Sequence, residues 1–89
     1  MDDIFVFTMD GCNHCISLKE HLKTKGVKFS EIEINSNREI WSQVVSQTGE
    51  NILPTVYIRK NGTDNGPVFI PGKDFKSPEE LYENIKIYL

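Results

Sequence analysis

Eighty-nine residues, 38% of them apolar, suffice for one small domain with a modest core. A net charge of −3, with no block of lysine or arginine, argues against a nucleic-acid binder. The longest apolar run is far short of a membrane span, and Met1-Asp2-Asp3 is acidic where a secretion signal would be basic, so a reducing cytoplasm is the expected setting.

Residues 4–8 read as the first strand. Their apolar run is continuous, as suits a central strand covered on both faces. Met9-Asp10-Gly11 is the turn out of it, with Gly11 letting the chain bend sharply before Cys12. A helix follows over residues 13–25. Cys15, Leu18 and Leu22 share its core face, His21 borders that face as a packed or solvated residue, and Gly26 stops it. Ile16 falls off the core stripe, close to the cysteines, as a scattered surface apolar residue or part of a docking surface.

Cys12 and Cys15 are the chain's only cysteines, set three apart between a strand and a helix. That context points to redox chemistry. A cysteine at a helix N-terminus sees the partial positive charge of unpaired backbone N–H groups. The charge favours thiolate, which is the nucleophile. A second cysteine three residues on lies on the same helix face, within reach of a disulfide. Cys12 is therefore expected to attack a substrate disulfide and Cys15 to resolve the mixed disulfide. In a reducing compartment the pair should cycle. Two other readings stay open at this point: half of a zinc site with His14 or His21, although no second Cys/His pair follows downstream, and an inert surface pair.

Residues 27–34 read as the second strand. Its alternation slips near Ser30, so a bulge or a late start is expected. If it shares a sheet with the first strand, the two should be parallel with a right-handed crossover. Asn35, Ser36 and Asn37 offer N-caps for a helix over residues 38–48, whose apolar stripe is Ile40, Trp41, Val44 and Val45 and whose stop is Gly49. Residues 55–58 are strand-like with Pro54 at the strand's start. Asn61-Gly62 and Asn65-Gly66 signal turns, residues 60–67 should be a mobile connection, and residues 68–70 should be the return strand of a hairpin. After the turn at Pro71-Gly72-Lys73-Asp74, a last helix starts with Ser77 as N-cap, Pro78 at its first position and Glu80 closing a capping box. Leu81, Tyr82, Ile85, Tyr88 and Leu89 should pack it inward.

Four stretches in this order resemble the glutaredoxins, small members of the thioredoxin fold. They are Phe7-Thr8 leading to Cys12 and Cys15, Gly26-Val27-Lys28-Phe29, the segment from Leu53-Pro54 to Ile58, and Gly72-Lys73-Asp74. The resemblance covers nearly the whole chain, read as one domain over residues 1–89. It implies an α/β thioredoxin-like fold, a four-stranded mixed sheet flanked by three helices in the order β-α-β-α-β-β-α. It implies a dithiol oxidoreductase that reduces protein disulfides or glutathione mixed disulfides, with glutathione as reductant and co-substrate and no tightly bound cofactor or metal. Cys12 and Cys15 would be catalytic. Leu53, before a cis Pro54, would offer backbone hydrogen bonds to bound glutathione. Gly72, Lys73 and Asp74 would hold its γ-glutamyl end through backbone N–H groups and a carboxylate–amine contact. His14 would line the same groove, near enough to tune Cys12. The protein is expected to work as a monomer with no membrane or nucleic-acid partner.

Some residues depart from the family pattern. Met9 and Asp10 stand where family members often carry lysine and its neighbour, Asn13 replaces proline, and Pro71 replaces a glycine. Alternative readings are a thioredoxin-like carrier reduced by a flavoprotein reductase, and a glutathione-dependent iron–sulfur cluster module.

Overall fold

The computed structural model describes residues 3–60 and 66–89. Its elements are β1 (Asp3–Thr8), α1 (Asn13–Thr24), β2 (Ser30–Glu33), α2 (Arg38–Thr48), β3 (Thr55–Arg59), β4 (Val68–Phe69) and α3 (Pro78–Ile85). Single turns of 3₁₀ helix follow β2 at Ile34–Ser36 and α3 at Lys86–Tyr88. The sheet order is β2-β1-β3-β4. β1 pairs parallel with β2 and antiparallel with β3, and β3 pairs antiparallel with β4. The apolar run of β1 thus lies in an interior strand, as its sequence demands.

Alternation along β1 sends its side chains to two different layers. Ile4 and Val6 join Leu18 and Leu22 of α1, Val56 and Ile58 of β3, and Leu81 and Ile85 of α3 in the main core. Phe7 faces the other way and packs on Trp41 of α2, ring centroids 5.4 Å apart. The indole N–H of Trp41 donates to Asn51 Oδ1 at 3.0 Å, so its one polar atom is satisfied despite burial. Phe5, on the same layer, stacks on Tyr57 with centroids 6.0 Å apart.

The second strand begins late, at Ser30, and no bulge is needed. The cause is the end of α1. Gly26, at φ +72°, donates its N–H to Lys23 O, and Val27 donates to Leu22 O at 2.9 Å. This is a Schellman cap, with Val27 and Leu22 making its apolar contact in the core. Val27 is therefore committed to the helix end and cannot open a ladder. Ile34, placed in the strand by its pattern, instead starts the 3₁₀ turn, whose N–H groups bond the Glu33 carboxylate.

Other ends differ from expectation by a residue or a partner. Asn37 is the N-cap of α2, but its side chain makes no cap bond and donates to Glu33 O instead. Ile70 lies outside β4 because its N–H is taken by Asp74 Oδ2 at 2.7 Å. Ile40 and Leu89 are exposed where an inward face was expected. Ser77 caps α3 through its hydroxyl, which accepts from Glu80 N, with Pro78 in the first turn. The turn signals at Asn61, Gly62 and Asn65 and most of the connection over 60–67 lie outside the described residues.

Candidate active site

Gly11 sits at φ +79°, a left-handed conformation that a Cβ disfavours, and it swings the chain from the end of β1 into α1. Cys12 is the N-cap, with extended backbone. Its N–H donates to Met9 O and its carbonyl accepts the first helical bond, from Ile16 N. Its Sγ accepts the N–H of Cys15 at 3.2 Å. Sulfur here occupies the place a serine or aspartate oxygen usually takes. A donor aimed at Sγ, together with the helix terminus, favours the ionised form of Cys12 once the disulfide is opened.

The two cysteines are joined by a disulfide, with Cα atoms 5.2 Å apart. Their exposure is unequal. Cys15 is 1% exposed and lies against the core, whereas Cys12 is half-buried and open to attack. No acidic residue occupies the first turn of α1 to offset the helix dipole.

The end of β1 is pinned from outside the loop. The buried Thr8 hydroxyl donates to Glu31 Oε2 of β2 at 2.6 Å, and Lys19 Nζ of α1 donates to the same oxygen at 2.8 Å. These bonds hold the Glu31 carboxyl below its ordinary value of 4.5, the Lys19 bond most and the Thr8 bond next. One carboxylate thereby ties β1, β2 and α1 together where the cysteine turn departs.

Beside the helix start lies a cleft of ≈ 370 Å³. One wall is α1, with His14, Ser17 and Leu18; the floor is Ile52, Leu53 and Pro54; the far wall runs from Pro71 to Pro78. The Leu53–Pro54 peptide is cis, as the resemblance implies. The buried Thr55 hydroxyl bonds Ile52 O at 2.6 Å and closes the bend around that peptide. The Leu53 N–H and carbonyl make no hydrogen bond to a described residue, because the β1–β3 ladder begins only at Thr55.

Of the residues singled out from the sequence, His14, Leu53, Pro54 and Gly72 line this one cleft beside the cysteines. Lys73 and Asp74 do not. Their turn is closed on itself. Gly72 N donates to Phe75 O, Lys73 N and Asp74 N both donate to Ile70 O, and the Asp74 carboxylate accepts from Ile70 N. The three N–H groups expected to cradle an anion are thus already donated within the chain. Sequence reading missed Phe75 and Lys76, which line the far wall. The available signal was the spacing: Asp74 and the cap residue Ser77 are separated by two residues, one apolar and one basic. A larger cleft of ≈ 410 Å³ lies between α2 and the sheet, away from the start of α1.

The glutaredoxin family model matches residues 4–62, from the start of β1 past the end of β3. The chain belongs to the glutaredoxin family. A Pseudomonas aeruginosa glutaredoxin is 29% identical over 58 residues, which is 65% of this chain and 69% of that protein. Solved structures share the fold. A glutaredoxin from Archaeoglobus fulgidus superposes with TM-score 0.69 at 23% identity, over 97% of this chain and 88% of its own. The Escherichia coli NrdH-redoxin, a glutaredoxin-like protein with a thioredoxin-like activity profile, gives TM-score 0.65 at 17% identity, over 91% and 92% of the two chains. A buckwheat glutaredoxin–glutathione complex gives 0.60 at 20% identity, over 98% and 71%. The thioredoxin-like fold and the family make this chain a glutaredoxin-like thiol–disulfide oxidoreductase with a Cys12–Cys15 pair. The match ends at residue 62, before the far wall of the cleft.

Proposed function

We propose that the protein is a dithiol glutaredoxin in a reducing cytoplasm, with glutathione as its reductant and protein disulfides or glutathione mixed disulfides as substrates. The observation that carries this reading is the pairing of a half-buried Cys12 at a helix N-cap with a sealed Cys15, beside a Leu53 main chain that makes no hydrogen bond to a described residue.

The Cys12 thiolate attacks one sulfur of a substrate disulfide; that S–S bond breaks and the departing thiolate takes a proton from solvent. For a protein disulfide, Cys15 then loses its proton and attacks Cys12 Sγ, which releases the second substrate thiol and closes the Cys12–Cys15 disulfide. Two electrons have passed to the substrate. One glutathione thiolate reopens the disulfide at Cys12, leaving glutathione on Cys12 and a thiol on Cys15. A second glutathione attacks the bound one and leaves as glutathione disulfide, restoring the dithiol. In the mixed disulfide the glutathionyl cysteine would lie along the cleft, paired to Leu53 main chain.

Cys15→Ser tests this reading. The variant should keep turnover of small glutathione mixed disulfides, which need only Cys12 and an incoming thiol, and lose reduction of protein disulfides that require resolution. Inactivity on both would oppose it. A second reading, a carrier reduced by a flavoprotein reductase, is favoured by the self-bonded turn at Gly72–Asp74, which offers no spare N–H to an anion. Turnover with the glutathione system and with a thioredoxin reductase, side by side, separates the two donors.

A further inference from the structure

The cleft beside Cys12 carries an unusual charge balance for an acidic protein. The chain has net charge −3, yet among the described residues the titratable side chains lining this cleft are His14 and Lys76, and no carboxylate lines it. The nearby acids are engaged or lie elsewhere. The Asp74 carboxylate accepts from Ile70 N, Glu79 faces His21 Nδ1 at 3.9 Å on the α1 side of α3, and Asp10 belongs to the loop before Cys12. Neither Asp10, Glu79 nor Glu80 lines the cleft.

Lys76 is well placed to act on what enters. Its neighbours are anchored on both sides. Phe75 is 4% exposed in the main core and its carbonyl accepts from Gly72 N at 2.7 Å, while Ser77 caps α3. The backbone at Lys76 is therefore fixed on the wall facing α1, and its side chain is exposed with no ion pair to a described residue. A cation held this way costs little desolvation and gains when an anion arrives. The backbone N–H groups of the neighbouring turn are closed, so a carboxylate entering from this side finds the Lys76 ammonium as its donor.

We propose that Lys76 is the specificity-determining residue of this cleft, pairing its ammonium with a carboxylate of the glutathionyl group carried on Cys12. The inference rests on the glutathione reading given above and assigns the residue that selects an anionic thiol over a neutral one. His14, on the opposite wall, adds to the same potential when protonated. The same chemistry would admit an acidic protein segment, and the thiol series below separates that source from glutathione.

The test is stopped-flow reduction of the Cys12–Cys15 disulfide in wild type, Lys76→Ala, Lys76→Glu and Lys76→Arg. Three reductants are compared: glutathione, its diethyl ester with both carboxylates masked, and uncharged dithiothreitol. Lys76→Ala should slow glutathione about two- to five-fold, the range of a single solvent-exposed ion pair. Lys76→Glu should slow it further, Lys76→Arg should restore it, the dithiothreitol rate should stay unchanged in all four proteins, and the diester, which keeps its free amine and is cationic, should be slowed by none of the variants. Added salt should erase the wild-type advantage for glutathione. A Lys76→Ala protein that reacts with glutathione like wild type overturns the assignment and leaves the glutathione reading standing. If wild type turns over with glutathione but the Lys76 variants lose only protein-disulfide reduction, the carboxylate belongs to protein substrates and the assignment to glutathione falls. Equal slowing with all three reductants would show a structural role and would also overturn it. A wild type inert toward glutathione overturns both.

Discussion

The two walls of the cleft are built by opposite means. On one side, residues 11–15 form a turn and a helix start with the Cys12 sulfur at the N-cap, facing across the floor a Leu53 main chain that makes no hydrogen bond to a described residue. On the other side, residues 70–75 consume their own donors, with Gly72, Lys73 and Asp74 all bonded back within the segment. The first wall falls inside the stretch that matches the family, and the second falls outside it. Chemistry is local and can be held by a few residues of sequence. On the proposed reading, recognition on the second wall falls to side chains held on a turn whose own donors are spent.

That contrast is broken most completely at the sulfur. Cys12→Ser should abolish reduction of every disulfide substrate while leaving the cleft and its far wall intact, as judged by turnover and by an unchanged unfolding midpoint. No substitution on the far wall should do the same.

Phe75→Ala probes the anchor of the second wall. Phe75 is 4% exposed and belongs to the main core while also lining the cleft. Its truncation should cost about 3–5 kcal/mol in urea unfolding. The rate of dithiothreitol reduction, measured where the variant is still folded, should change little. A large change there would mean that the two walls are coupled.

Matched glycine substitutions sharpen the comparison at smaller cost. Gly11 and Gly72 adopt φ +79° and +84°, and a Cβ at either would meet no atom within 4 Å. Each Gly→Ala change should therefore lose about 1–2 kcal/mol from the backbone conformation alone. The functional consequences should diverge. Gly11→Ala should alter the alkylation rate of Cys12 in the reduced protein, and Gly72→Ala should alter the rate with glutathione more than with dithiothreitol.

The smallest effect concerns the Glu31 tie that joins β1, β2 and α1 at the base of the cysteine turn. Its folded-state carboxyl titrates below the unfolded one, so the unfolded state binds more protons in that window. The stabilisation is present above the unfolded value of 4.5 and disappears as pH falls through the lower, folded one. Glu31→Gln should flatten this acid limb of stability. The change should be small, since the pair is solvent-screened, with the Glu31 side chain 40% exposed. An acid limb as steep as wild type's in the variant would place the titration elsewhere.

Much of this architecture is legible in the residues because local signals agree with one another. The apolar run of β1, the Cys12–Cys15 spacing, the Leu18–Leu22 stripe and the Ser77-Pro78 helix start each specify one element and one face. Where reading failed, a backbone donor had a partner the pattern does not reveal. Val27 looks like a strand residue because it is β-branched and apolar, but its N–H completes the cap of α1. Ile70 looks like the end of the hairpin, but Asp74 takes its N–H. Gly72-Lys73-Asp74 suggests an open anion cradle, and only the folded turn shows its donors already in use. Lys76 carries no motif, and its place on the cleft comes from the burial of Phe75 and the capping by Ser77 on either side.

The proposed mechanism takes Cys12 as the attacking thiol on the unequal exposure of the two cysteines, and alkylation of the fully reduced protein tests that most directly. At pH 6, with substoichiometric iodoacetamide and site-resolved mass spectrometry, Cys12 should label much faster than Cys15, because it combines the helix N-cap with solvent access while Cys15 is 1% exposed. Equal labelling, or preferential labelling of Cys15, would contradict the assignment of nucleophile and resolving thiol on which the mechanism rests.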